Sequence, residues 1–124
     1  MVTHAVMAVD TEGRITAWDD GAEELFGHDR ASVLGQPVDI IIPPHLRDAH
    51  WRGFRRAMAA PVVRDRAADL PVLCADGSRR YFAGRLLVLS DAFGVAVGAT
   101  AIYTDSGSTG VRPFPMTPDG DGYQ

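Results

Sequence analysis

Two stretches near the start of the chain decide the fold: VDTEGRI at residues 9–15 and WDDGAEELFG at residues 18–27. The first contains a polar turn that ends in glycine, the residue that most easily adopts the positive φ such a turn requires. This turn lies between an apolar run at residues 5–9 and a run at residues 14–18 in which polar and apolar residues alternate. These two runs predict a β-hairpin. In the second stretch, Asp19 or Asp20 can cap a short helix that ends at Gly27.

The remaining segments predict further short helices, one longer helix and three more strands. A second short helix is expected over about residues 29–34, and the clearest helix of the chain runs from about His45 to Ala59. Strands are expected over roughly residues 68–74, 79–89 and 95–103, joined by tight turns. Strands at both ends of a helical middle predict an α+β fold, with one antiparallel sheet of about five strands and the helices on one face.

The composition is that of one small domain. The chain has 124 residues, of which 46% are hydrophobic and 23% charged, and its formal net charge of −4 argues against a generally cationic nucleic-acid binder. No apolar run approaches the ~20 residues of a membrane span, and residues 1–4 lack the features of a signal peptide, so we expect a cytoplasmic protein. We divide the chain into a domain at residues 1–105 and a flexible tail, rich in Gly and Pro, at residues 106–124.

Few of the residue patterns used in catalytic sites occur in the sequence. All 12 basic residues are arginine, so no lysine is available for a Schiff base or a phosphate-binding loop. The hydrolase motifs GxSxG and HExxH are also absent. The single cysteine, Cys74, lies in a predicted strand and is expected to be a buried structural thiol. The sequence therefore favours a binding module or a cofactor carrier, and we assign no catalytic residue.

The motifs together resemble a PAS domain. The two opening stretches carry the resemblance, and Leu34-Gly35, Ile42-Pro43 and the ADGS turn at residues 75–78 follow in the order of that family. The resemblance covers about residues 2–105 and departs from the family at Asp19, where Asn is common. It implies a single PAS fold, whose members carry flavin, heme, small acids or no ligand.

Residues 43–56, PPHLRDAHWRGFRR, resemble the long helix of the heme-PAS oxygen sensors. In those proteins a histidine after a Pro-x-x-x-Arg-x-x lead-in is the axial iron ligand, and an arginine six residues later meets a heme propionate. His50 and Arg56 occupy these two positions, so the resemblance implies heme b with His50 as the ligand of its iron. Arg66 lies roughly where the heme sensors place a second arginine.

Helical spacing by itself places His50 near the middle of an apolar stripe. At about 100° per residue, Leu46, Gly53, Phe54 and Ala57 all lie within about 60° of it. Imidazole is a normal axial ligand of heme iron, and Gly53 removes a side chain one turn later, as a flat macrocycle requires. The alternative is a histidine of the core whose ring nitrogens are hydrogen-bonded within the protein.

The strand at residues 79–89 should form the wall opposite this helix, and its alternation allows two registers. One register turns Phe82, Gly84 and Leu86 inward, and the other places Arg85 over the iron. We favour the first because it is more apolar, and it would leave a gap at Gly84. The candidate cofactor-binding residues are therefore His50, Phe54, Arg56, Arg66, Gly84 and Leu86, with His50 the metal ligand.

Three functions are compatible with this site. The first is a ferrous-heme-dependent lyase that releases nitrite from a small nitramine such as N-nitroglycine, because a short PAS domain without an output domain resembles the stand-alone heme-PAS nitramine lyases. The second is a heme-based gas or redox sensor that acts on a separate partner, and the third is a heme-free interaction module. Expected partners are a small-molecule substrate or a diatomic gas, an electron donor for the heme and a second copy in a homodimer, without nucleic acid or membrane.

Overall fold

The computed structural model describes residues 3–61 and 65–111, without the side chains of residues 65 and 66. Its strands are β1 His4–Val9, β2 Ile15–Trp18, β3 Asp65–Leu73, β4 Arg79–Ser90 and β5 Ala96–Thr104. Its helices are α1 Asp20–Phe26, α2 Arg30–Val33 and α3 Arg47–Ala59, with short 3-10 helices at Val38–Ile41 and Pro44–Leu46. The strands form one antiparallel sheet in the order β2-β1-β5-β4-β3, which confirms the predicted α+β fold.

The turn between β1 and β2 has the predicted geometry. Gly13 adopts a φ of 80°, and its backbone N–H donates to the carbonyl oxygen of Asp10 at 3.0 Å. The Asp10 side chain accepts further hydrogen bonds from the backbone N–H groups of Glu12 and Arg14. Because β1 then pairs with β5, this hairpin forms one edge of the sheet.

Asp19 connects the first helix to the sheet. Its Oδ1 atom accepts a hydrogen bond from the backbone N–H of Ala22 at 2.8 Å, which caps α1. The same oxygen accepts a second bond from the backbone N–H of Val6 in β1, at 3.0 Å. Helix α1 ends at Gly27, which has the left-handed conformation that the sequence predicts there.

The hydrophobic core lies between the helices and one face of the sheet. Its aromatic centre consists of Phe26 of α1, Phe82 of β4 and Tyr103 of β5, with ring centroids 4.8 to 6.3 Å apart in edge-to-face contact. Burial among these rings raises the pKa of Tyr103. Cys74 is buried directly after β3, as expected of a structural thiol, and burial raises its pKa.

Helix α3 follows the 3-10 helix at Pro44–Leu46 and ends at Ala59, close to the predicted bounds. It packs beside β5. The apolar stripe predicted on this helix includes His50, Phe54 and Ala57, but each of these is only half-buried, as is Trp51, and no residue of α3 is fully buried. The inner face of α3 is therefore less tightly enclosed than the rest of the core.

The segment predicted as a tail begins within the described residues. Residues 106–111 follow β5, and four of them, residues 108–111, hydrogen-bond to Asp69 of β3. Residues 112–124 lie outside the described residues, so the flexibility of the tail and the domain boundary at residue 105 stay predictions. Within residues 3–61 and 65–111, the helices are too short or too polar to cross a membrane.

Candidate functional site

His50 lies in a small aromatic cluster on the inner face of α3. The ring of Trp51 meets it edge-on with centroids 5.1 Å apart, and the ring of Phe54 lies nearly parallel at 6.1 Å. The Nδ1 atom of His50 is buried, and it has no hydrogen-bond partner among the described residues. Because an unpaired buried nitrogen costs free energy, this atom is available to a partner that the described part of the chain does not provide.

Burial also determines the protonation state of His50. It lowers the pKa of the imidazole from 6.5 to about 4, while the negative charge of Asp39 raises the pKa by a smaller amount. The ring is therefore neutral near pH 7, which is the form that coordinates metals. The described residues contain no group of three or more His, Cys, Asp or Glu side chains that could hold a metal ion together.

Trp51 fixes the position of the imidazole through contacts with two other segments. Its indole N–H donates a hydrogen bond to Oδ1 of Asp39, in the 3-10 helix at Val38–Ile41, at 2.5 Å. Its ring packs on Gly13, where a Cβ atom would come within 2.4 Å of Cη2 and Cζ3. The β1–β2 turn, the 3-10 helix and α3 are thereby held together beside His50.

Strand β4 adopts the favoured register. Phe82 and Gly84 are buried and Leu86 is half-buried, whereas Arg85 is exposed, so the alternative that places Arg85 over an iron is wrong. The predicted gap at Gly84 is also wrong. A Cβ atom there would come within 2.4 Å of Cδ1 of Leu70, which extends from neighbouring β3 into the space that a larger residue 84 would use.

The other predicted residues either lie at the surface or have side chains that the structure does not describe. Gly53 is exposed, and a Cβ atom built on it contacts nothing within 4 Å, so the prediction that it makes room beside His50 in the interior is wrong. Arg56 is exposed in the last turn of α3, and no ion pair is found for it among the described residues. The side chain of Arg66 lies outside the described part of the structure, so its role stays a prediction.

Three residues of the site, Trp51, Asp39 and Leu70, were missed from the sequence. Asp39 precedes Trp51 by twelve positions, and no motif or periodic spacing links the two. Leu70 reaches Gly84 because β3 and β4 pair residue 70 with residue 82 and residue 68 with residue 84. The turn between β3 and β4 fixes this register, so extending the pairing from the ADGS turn at residues 75–78 is the signal that could have identified Leu70.

The profile of the PAS fold family matches residues 2–109. The chain belongs to the PAS family. This PAS domain is similar in structure to the PAS domain of a protein from Colwellia psychrerythraea, with a TM-score of 0.70 and 22% identity over 82% of this chain and 84% of that one. It is also similar to the PAS domain of the quorum-sensing receptor RpfR from Cronobacter turicensis, solved in complex with BDSF, with a TM-score of 0.60 and 17% identity over 80% and 91% of the two chains.

One relative matches more strongly in sequence. An uncharacterized protein of Azorhizobium caulinodans is 39% identical over 77 residues, which are 60% of this PAS domain. The matched segment is only 10% of that relative, so the PAS domain spans about a tenth of the length of the protein it matches. The similarity therefore concerns the domain, and it does not extend to the activity of the whole relative.

Proposed function

We propose that this PAS domain is a sensor module that binds heme b between α3 and the sheet, with His50 as the axial ligand of the iron. The proposal depends chiefly on the imidazole of His50, which is neutral and has a buried Nδ1 without a hydrogen-bond partner among the described residues. A histidine that served only the core would be expected to have its buried nitrogen paired. The neutral imidazole is the form that donates to iron, and the unpaired nitrogen is compatible with a ligand that the described residues do not include.

The surrounding residues fit parts of a heme site. Phe54 and Leu86 offer half-buried apolar surface, and the inner face of α3 is incompletely enclosed. Arg56 lies six residues after His50, about 9 Å further along the helix axis, with its guanidinium available for a propionate. Gly84 offers no free volume while Leu70 occupies the space beside it, so heme would require this side chain to change rotamer.

Heme would supply the centre for gas binding or electron transfer, and the protein would hold and orient it. We favour a sensor over a nitramine lyase because the lyase prediction depended on the absence of an output domain. The matched relative is about ten times as long as the segment it shares with this chain, which favours a module that serves a larger protein. The predicted lyase activity, electron donor, homodimer and cytoplasmic location stay predictions.

The test is a titration of the purified protein with hemin, followed by absorption spectroscopy in the ferric and ferrous states. The wild type is expected to give a Soret band typical of histidine ligation, and His50→Ala to lose or shift it. His45→Ala is the matched control, because His45 is an exposed histidine in the 3-10 helix that directly precedes α3. Restoration of the band in His50→Ala by added imidazole would show that the ligand, rather than the fold, was lost.

Two further results separate the alternatives. Nitrite release from N-nitroglycine by the anaerobic ferrous protein would establish the lyase, whereas a Soret shift with carbon monoxide or oxygen and no turnover would support the sensor. The absence of a Soret band in the wild type would reject both heme functions and leave a heme-free interaction module. Identical spectra of the wild type and His50→Ala would reject His50 as the ligand.

A further inference from the structure

Asp69 of β3 binds the segment that follows β5. Its Oδ2 atom accepts a hydrogen bond from Oγ of Ser108 at 2.6 Å, and its Oδ1 atom accepts from the backbone N–H and the hydroxyl of Thr109 at 2.7 and 3.0 Å. The backbone N–H of Gly110 donates to Oδ2 at 3.3 Å. These donors stabilise the charged form, so the pKa of Asp69 is lower than its ordinary value.

The same segment covers the free edge of the sheet. Because β3 is the last strand of the antiparallel sheet, alternate residues of it direct their backbone groups away from β4. Asp69 is one of these residues, and its backbone N–H donates to the carbonyl oxygen of Val111 at 2.8 Å. Pro71, two residues later, faces the same edge and has no N–H to donate. The edge is therefore protected from pairing with another strand at both positions.

Hydrophobic packing contributes little to the attachment of this segment. Every residue from 106 to 111 is exposed or half-buried, so the segment is held mainly by hydrogen bonds at the surface. Most of these bonds converge on one carboxylate. Segments with few buried apolar contacts and solvent-accessible hydrogen bonds open at low free-energy cost.

We propose that residues 106–111 form a latch, closed by Asp69, that determines where the chain leaves the sheet. With the latch closed, the chain departs at the free edge of β3. With the latch open, the chain departs from the end of β5, which is two strands away from β3 in the sheet. Residues 106–111 then become about six residues of unattached chain, which can span up to about 20 Å when extended. In a sensor, this difference would change the position of whatever follows residue 111. The inference is independent of heme.

Hydrogen exchange of the full chain, followed by NMR or mass spectrometry, tests the latch. In the wild type, the amides of residues 109–111 are expected to exchange more slowly than in a free chain. In Asp69→Ala they should lose about tenfold or more of this protection, and Ser108→Asp should do the same because a second carboxylate would repel Asp69. Asp76→Asn is the control, since Asp76 accepts similar bonds from Ser78 in a different turn, and it should leave residues 109–111 unchanged.

Two outcomes would overturn the proposal. One is exchange at free-chain rates in the wild type, which would mean that no latch is closed in solution. The other is unchanged protection of residues 109–111 in a variant whose fold is intact by circular dichroism. If Asp69→Ala fails to fold, Ser108→Asp decides alone, because Ser108 lies at the surface outside the strands.

Discussion

The indole ring of Trp51 lies directly against Gly13, so close that a Cβ atom on residue 13 would come within 2.4 Å of it. Gly13 therefore has two functions in the fold. Its φ of 80° closes the β1–β2 turn, and its missing side chain gives Trp51 a flat surface to pack on. Since Trp51 is adjacent to His50 and bonded to Asp39, this contact between the turn and α3 positions the candidate ligand.

Gly13→Ala is expected to destabilise the domain more than Gly35→Ala. Both glycines have a φ near 80°, so each substitution incurs backbone strain of about 1 kcal/mol. Only residue 13 also meets a ring, because nothing lies within 4 Å of a Cβ atom at residue 35. We expect an additional loss of about 2 kcal/mol for Gly13→Ala, measured by urea unfolding. Equal losses in the two variants would contradict the contact with Trp51.

Gly84 and Leu70 are expected to be coupled in a double-mutant cycle. Gly84→Ala should cost about 1 to 3 kcal/mol, because the new methyl group would overlap the side chain of Leu70. In a Leu70→Ala background the overlap is removed, so the same substitution should cost at least about 1 kcal/mol less. The free energies of unfolding of the four proteins give this difference directly. Additive effects would mean that Leu70 does not fill the space beside residue 84.

Local chemistry made most of the fold predictable. Gly13 ends a turn and Gly27 ends helix α1, each in a positive-φ conformation that glycine favours, and the side chain of Asp19 caps the same helix. Each of these features depends on a few adjacent residues, so the sequence alone was enough to predict it. The site was less predictable because its contacts join distant segments. The bond between Asp39 and Trp51 and the packing of Leu70 on Gly84 depend on how strands and helices are placed in space. Helical spacing located His50 on the inner face but could not show that Gly53 lies outside it.

Asp19→Ala is expected to destabilise the domain, whereas Asp19→Asn should have little effect. The alanine variant would leave the backbone N–H groups of Val6 and Ala22 without their acceptor, at a cost of about 1 to 3 kcal/mol. Both bonds go to the same oxygen, Oδ1, and an asparagine retains one such oxygen. Thermal unfolding of the three proteins measures the effect. A loss in Asp19→Asn as large as that in Asp19→Ala would show that the negative charge, rather than the acceptor, is required.

The stability of the domain is expected to fall between about pH 6.5 and pH 4 because of His50. Burial lowers the pKa of this side chain in the folded state to about 4, and the unfolded chain has the ordinary value near 6.5. Below pH 6.5 the unfolded state binds a proton that the folded state does not, so protonation favours unfolding until the pH reaches the folded pKa. The carboxylates of Asp69 and Asp76, whose pKa values are lowered from 3.8, contribute their stability throughout most of this window.

Urea unfolding at about pH 7 and about pH 4.5 measures this effect, with His50→Gln as the variant that cannot titrate. The wild type should lose about 2 kcal/mol more than His50→Gln between the two pH values. Asp39→Asn removes the negative charge that raises the pKa of His50, so NMR titration of this variant should give a pKa lower than that of the wild type. Parallel stability profiles of the wild type and His50→Gln, or a titration of His50 near pH 6.5, would mean that the imidazole is solvated and that the ligand site lies elsewhere.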